Sequence, residues 1–243
     1  MVFLASPVMA VGAAVAASVL IVAPAFSIPA GFSGDLIVIF YLLAVPSISY
    51  MIGAAASANV LAITGAAREI KLMLSYELPF LLVLATVVFK TGMSLKISDI
   101  LAYQATHGAL IGSLSGVLLF VVALMCIQAK LGLVPFDISE AETEITHGLF
   151  IEYSGPAYFL VKLAKYIMLF TLASFAVVLF MGGFHWTGAG IAASAGKLLL
   201  VVLLFTLVRN TNPRLRPDQS MRFFFLWMNV FVILAFILAL LGL

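Results

Sequence analysis

The sequence predicts an all-α, polytopic transmembrane helix bundle of about seven spans, and three observations carry that prediction. Of its 243 residues, 65% are apolar and only 9% are charged, against roughly 45–50% and about 25% in ordinary globular domains. The apolar residues form stretches close to the roughly 20 residues that cross a ~30 Å hydrocarbon layer. Those stretches lack the polar/apolar alternation of barrel strands, and only helices or closed barrels satisfy every backbone group in lipid.

Taken in order, windows bounded by Gly, Pro and charge place helices at about 7–26, 35–57, 72–92, 108–128, 157–182, 195–209 and 222–242. The chain opens Met1-Val2-Phe3-Leu4 without a basic n-region, so the first window reads as a retained span and not as a signal peptide. The sixth window is short. Residues 1–243 form a single integral membrane domain, with connecting loops at about 58–71, 129–156 and 210–221. These loops carry Arg68, Lys71, Lys130, Arg209, Arg214, Arg216 and Arg222, whereas the opposite loops offer little beyond Lys90, Lys96 and Lys197. The excess of Lys and Arg assigns the first set to the cytoplasm, and an odd number of spans sends the termini to opposite faces.

Charge and ligand chemistry exclude several function classes. A formal charge of +2 is too small for electrostatic capture of nucleic acid. The single cysteine, Cys126, lies in an apolar run, so the chain alone lacks the thiolates of an iron–sulfur cluster and the motif of a c-type haem. His107, His147 and His185 are far apart in sequence and do not form the close pairing of a zinc site on one helix. No metal site is expected.

Polar residues concentrate at four places. Five of the ten acidic residues fall between Asp137 and Glu152: Asp137, Glu140, Glu142, Glu144 and Glu152. A solvated loop with a helix start is the plain interpretation, Asp137 capping and Glu140 completing a capping box. Phe136, Ile138, Ile145, Leu149, Phe150 and Ile151 interleave with these acids, as in a segment folded back against protein at the membrane surface. On a helix, Asp137, Glu140 and Glu144 at i, i+3 and i+7 would stack on one face, with Glu142 turned away. Such a crowded row titrates as a coupled set and can pass protons. In the third window Glu77 follows Lys71 by six residues, about 9 Å deeper at 1.5 Å per residue. Pro79 removes the hydrogen bond to the Ser75 carbonyl, which suggests a proton site beside an opened turn. Lys162 and Lys165 enter the membrane on adjacent turns of the fifth window, either snorkelling to headgroups or pairing inside with Glu77, Glu144 or Glu152. Finally, Arg209, Arg214, Arg216 and Arg222 surround Pro213 and Pro217, a shaped basic surface suited to a soluble partner.

Val134-Pro135-Phe136-Asp137, Glu140-Ala141-Glu142-Thr143-Glu144 and Glu152-Tyr153-Ser154-Gly155 resemble the signature of the quinone-chamber membrane subunit of respiratory complex I and its counterpart in membrane-bound NiFe hydrogenases. Ser75-Tyr76-Glu77-Leu78-Pro79 resembles that family's motif in the third span. Pro213-Arg214-Leu215-Arg216 with Asp218-Gln219 resembles its last cytoplasmic loop. The family fold has eight transmembrane helices. The resemblance therefore implies that the usual first helix and the basic segment after it are missing here, by truncation or because another chain supplies them. Gln128 and Lys165 stand where complex I members commonly have glutamate, and the wording from Ile138 to Ile145 is more similar to the hydrogenase branch.

What the resemblance implies is a non-catalytic coupling subunit of a multi-subunit oxidoreductase in a prokaryotic cell membrane, with its acidic and arginine-rich loops cytoplasmic. It would bind no redox cofactor itself. Iron–sulfur clusters, and a NiFe centre in the hydrogenase case, would sit in hydrogenase-like large and small soluble partners beside antiporter-like membrane subunits and lipid. Glu77, Asp137, Glu140, Glu142, Glu144, Glu152, Lys162 and Lys165 would carry proton coupling, and Arg68, Lys71, Arg209, Arg214, Arg216 and Arg222 would dock the soluble arm. A quinone-binding complex I subunit is the nearest alternative. A free-standing transporter is more distant, because no second half mirrors the Glu77–Pro79 pair, and a purely structural anchor would not need five acids in one loop.

Overall fold

A computed structural model describes residues 1–26, 34–185 and 188–242 of the chain. Helices α1 (Val2–Val22), α2 (Asp35–Ala56) and α3 (Val60–Lys90) are followed by a short helix α4 (Ile97–His107) and by α5 (Leu114–Lys130). A one-turn helix α6 (Glu142–Ile145) interrupts the acidic segment before α7 (Gly155–Phe180) and α8 (Ala189–Thr211). The last span runs through α9 (Pro217–Arg222), a π-helical stretch Phe223–Met228 and α10 (Asn229–Leu240). Six of these rods are long and apolar enough to cross a membrane, and α5 is a shorter apolar one. The seven expected windows are thus seven helices, and no strand occurs among the described residues.

Boundaries moved where charge obscured the apolar pattern. The third span does not start near 72; α3 begins at Val60 and runs 31 residues, about 46 Å at 1.5 Å per residue, well beyond a ~30 Å hydrocarbon layer. Its first three turns bury Ala62, Gly65, Ala66 and Glu69 while Thr64 and Lys71 stay exposed, so most of the stretch expected as loop 58–71 is a helix with one inward face. The short sixth window is likewise a full helix of 23 residues.

Small side chains set the tightest packing. Ala10, Ala13, Ala14 and Ala17 are buried along α1, which lies mainly against α2 and α7, as small residues permit close approach between helices in lipid. At one end of the bundle, Phe3 stacks on Tyr153 with ring centroids 4.3 Å apart, and Ser6 Oγ lies 3.1 Å from Tyr153 Oη. The opposite end is tied by Asp35, whose carboxylate accepts from the Ile97 amide at 3.0 Å, and by Gln104, whose amide donates to the Val178 and Leu179 carbonyls. In the last span, Phe224 is fully buried between Phe136, at 4.8 Å, and Tyr76, at 6.3 Å.

The acidic segment lies on α3 because two glycines let it. A Cβ on Gly65 would come within 2.8 Å of the Leu149 amide nitrogen, and one on Gly148 would collide with the Ser139 carbonyl oxygen. Gly148 also has φ +46°, a left-handed conformation that costs other residues roughly 1–3 kcal/mol. As expected, Phe136, Ile138, Ile145, Leu149 and Phe150 turn inward and are buried. Gly148→Ala should therefore destabilise the fold by at least roughly 1–3 kcal/mol, read as a lower melting midpoint of the purified chain in detergent, while Gly12→Ala, inside α1 and meeting nothing within 4 Å, should keep or slightly raise the midpoint, as Ala is favoured over Gly in a helix.

Candidate functional site

The functional residues collect at the end of the bundle that holds Tyr153, and four of the acids there are each paired with a cation. Glu77 accepts a hydrogen bond from Lys130 Nζ at 2.8 Å. Arg68 meets Glu144 at 2.6 Å, Arg214 meets Asp137 at 2.6 Å, and Lys165 pairs with Glu140. Glu152 is the exception, accepting instead from the Asn59 amide at the α2–α3 corner. The side chain of Glu142 lies outside the described residues.

This arrangement corrects three expectations. Asp137, Glu140 and Glu144 do not stack on one helical face, because residues 137–141 are irregular and only Glu142–Ile145 is helical; left-handed Thr146 and His147 then end that turn. Nor do Asp137 and Glu140 form a capping box, since the helix that follows is capped at Ala141. The three acids point instead to three different elements: Arg214 before α9, Lys165 on α7 and Arg68 on α3. The lysines of α7 do not meet Glu77, Glu144 or Glu152. Lys165 takes Glu140, and Lys162 lies over the Tyr158 ring at 5.2 Å. Of the arginines expected to dock a partner, Arg68 and Arg214 are engaged within the chain, whereas Arg209, Arg216 and Arg222 are exposed.

The Lys130–Glu77 pair is the most buried of these. The lysine side chain has no exposed surface and its ammonium sits 5.4–5.5 Å from the ring centroids of Phe40, Tyr76 and Phe80. Three ring faces and one carboxylate replace its hydration shell. The second carboxylate oxygen of Glu77, Oε2, has no hydrogen-bond partner among the described residues.

Glu69 is the principal residue that sequence reasoning missed. It is buried on the inward face of α3, two turns before Glu77, with Ser47 and Ser139 as polar neighbours and the charges of Glu140 and Lys165 acting on it. The signal was present in the spacing: positions 62, 65, 66, 69, 72, 76, 79 and 80 follow the helical period, and all are buried. Lys130 was equally legible on the inward face of α5, one turn after Cys126.

Two cavities connect these groups. A small cavity of about 30 Å³ is lined by Ser47, Tyr50, Glu69, Lys130, Glu140 and Lys165, among others, which is room for about one water. Tyr50 Oη is buried there without a hydrogen-bond partner among the described residues. A cleft of about 340 Å³ shares Leu131, Gly132, Glu140 and Lys165 with that cavity and reaches Asp137, Lys162 and Arg209. Titratable groups therefore follow one another from Asp137 through Glu140, Lys165 and Glu69 to Lys130 and Glu77. Asp137 is held above the usual aspartate range by burial and then by the Glu140 charge, with Arg214 opposing both.

A sequence family described as NADH dehydrogenase matches residues 1–240. A subunit of the NADH-quinone oxidoreductase of Anoxybacillus flavithermus is 38% identical over 182 residues, covering 73% of this chain and 54% of that one. Its counterpart from Dehalococcoides mccartyi is 36% identical over 192 residues, covering 76% and 52%. The chain thus spans about half the length of the curated relatives it matches. A chain of the membrane-bound sulfane sulfur reductase, an archaeal respiratory membrane complex, superposes with a TM-score of 0.90 at 27% identity, covering 98% of this chain and 80% of that one.

Two tests address the buried charges. Glu77→Gln strands Lys130 inside three aromatic rings and should cost about 3–5 kcal/mol, most of it recovered when Lys130→Met is added; thermal unfolding of the single and double variants decides this, and equal midpoints would discard the pairing. For Asp137, a raised folded pKa means that protonation stabilises the fold, a contribution complete below the unfolded pKa and lost as pH rises through the folded one. Arg214→Gln removes the opposing charge, so an Asp137-dependent protonated-carboxyl infrared band, absent in an Asp137→Asn control, should persist to higher pH than in the wild type.

Proposed function

The chain belongs to the NADH dehydrogenase family, and from that premise we propose that it is the membrane subunit through which a multi-subunit energy-converting oxidoreductase couples a redox reaction to movement of H⁺ or Na⁺. The observation that carries this reading is the run of titratable side chains from the open cleft at Asp137 to the buried Glu77–Lys130 pair. A structural anchor has no use for such a path.

The residues divide the work. The surface around Arg216 and Arg222 is exposed at the acidic end and would receive the soluble electron-transfer arm on the cytoplasmic side. Glu140 and Lys165 stand between the cleft and the cavity, so a charge change at the docked arm reaches Glu69 through them. Lys130 contacts Glu77 while also lining the Glu69 cavity, which couples the two carboxyls of α3 electrostatically in a medium of low dielectric. The redox centres, iron–sulfur clusters and a nickel–iron site, belong in this reading to partner subunits, and further antiporter-like membrane subunits would carry the ion onward.

The branch we favour is that of the membrane-bound hydrogenases and their sulfur-reducing relatives. It is supported by the likeness to the sulfane sulfur reductase, which covers four-fifths of that chain, whereas the matched NADH-quinone oxidoreductase subunits are covered for about half their length. Identity of 38% to the Anoxybacillus protein favours the second reading, in which the chain serves a quinone-linked complex I, and added short-chain quinone would accelerate electron transfer only in that case.

Glu69→Gln tests the coupling role, because the amide keeps the shape and deletes the proton site. In inverted vesicles carrying the assembled complex, we expect electron transfer to persist while ions moved per electron fall by roughly tenfold or more, a loss no larger than that seen when a positioned proton-transfer group is removed. Unchanged stoichiometry would make Glu69 a structural acid.

A further inference from the structure

We propose that the cleft at the acidic end, between the segment that follows α5, α7 and the end of α8, is a binding site for an anionic glycerophospholipid, with the lipid phosphate held between Lys162 and Arg209. The cleft is also the mouth of the proposed coupling path, but the lipid site uses Lys162 and Arg209, which that path does not.

The balance of charge is the first argument. Two acids line the cleft, and both are already neutralised: Glu140 by Lys165 and Asp137 by Arg214. Lys162 and Arg209, which line the same cleft, have no carboxylate partner among the described residues. The cations lining the cleft outnumber its acids three to two, Glu140 acting on both Lys165 and Lys162; this excess calls for an anion, and a guanidinium beside an ammonium is a phosphate-binding combination.

Depth and surroundings identify the anion as a lipid headgroup. Lys162 lies seven residues into α7 and Arg209 two residues before the end of α8, so both stand within about 10 Å of their helix ends at 1.5 Å per residue. That is the level of the headgroups. Tyr158 and Tyr166 flank Lys162 by one turn on either side, and Tyr166, which lines the cleft, is 69% exposed, as in the aromatic belt of membrane proteins. Apolar residues complete the lining, with Leu131 and Leu133 after α5 and Leu169 on α7, nearly two turns beyond Lys162. The two helices expose Phe159, Phe170, Leu203 and Leu207, a surface for acyl chains. Basic pockets between membrane helices are recurrent sites for acidic lipid headgroups.

The occupant would also have structural work. α8 is the least covered of the spans, 17% buried over its apolar window, and it meets the bundle mainly through α7. A lipid whose phosphate bridges Lys162 and Arg209 joins these two helices where side-chain packing is thin.

The test uses the complex containing the full chain, delipidated in mild detergent and titrated with phosphatidylglycerol under native mass spectrometry. Wild type should retain phosphatidylglycerol in preference to phosphatidylcholine, with retention falling as salt rises. Lys162→Gln with Arg209→Gln should weaken retention about thirtyfold, taking roughly 1 kcal/mol per basic residue at a membrane surface. Should that double variant fail to assemble, Arg209→Gln alone, at an exposed position, should weaken it about fivefold on the same basis. Retention unchanged in either assembled variant, or equal retention of phosphatidylcholine, overturns the site. Displacement of phosphatidylglycerol by an equal concentration of soluble glycerol 3-phosphate would assign the cleft to a free phosphate compound and overturn the lipid assignment.

Discussion

A charge withdrawn from water into the bundle has to be met by another, and the acidic end of this protein is organised by that requirement. Pairing fixes where each side chain can stand: Lys130 against Glu77, Lys165 against Glu140, Arg214 against Asp137. The same pairs decide how the segment between α5 and α7 is laid down, since each tether ends on a different element. Desolvation is tolerated because the partner is intramolecular and preset, whereas an unpaired ion in such surroundings would cost several kcal/mol.

The steric counterpart is the close backbone contact of Gly65 with residues 148 and 149. Electrostatics alone would permit the segment to hover at the rim of the bundle. The glycine contact seats it directly on α3, and this seat brings Ser139 and Glu140 to Glu69 and closes the small cavity around them. One glycine contact and a handful of ion pairs thus generate the whole polar path.

Much of the fold was legible because hydropathy in lipid is a strong signal, and all seven windows correspond to helices. The start of α3 was obscured because its first turns mix Arg68, Glu69 and Lys71 with Ala62, Ala66 and Leu72. Mean hydropathy registers a loop there, while periodicity registers a helix with one buried face. The pairing partners were less legible. Spacing relates residues within one regular element, and the acids at 137, 140 and 144 share none, so their partners depend on three-dimensional contacts 25 to 77 residues away along the chain. The clustering of acids marked the correct region, but the expected stacking assumed a helix that left-handed residues at 146–148 and irregular backbone at 137–141 forbid.

The unusual length of α3 has a mechanical meaning as well as an electrical one. Arg68, Glu69 and Glu77 ride on a single continuous rod, and Pro79, where that rod lacks one of its internal hydrogen bonds, comes only after all three. The weakened turn, from Ser75 to Pro79, therefore spans Glu77 and comes after Arg68 and Glu69. A push or pull delivered at Arg68 by way of the Glu144 tether would carry Glu69 with it, as a piston moves what is fixed to its shaft, and the softened turn would set how much of that stroke reaches Glu77 and the aromatic box around Lys130.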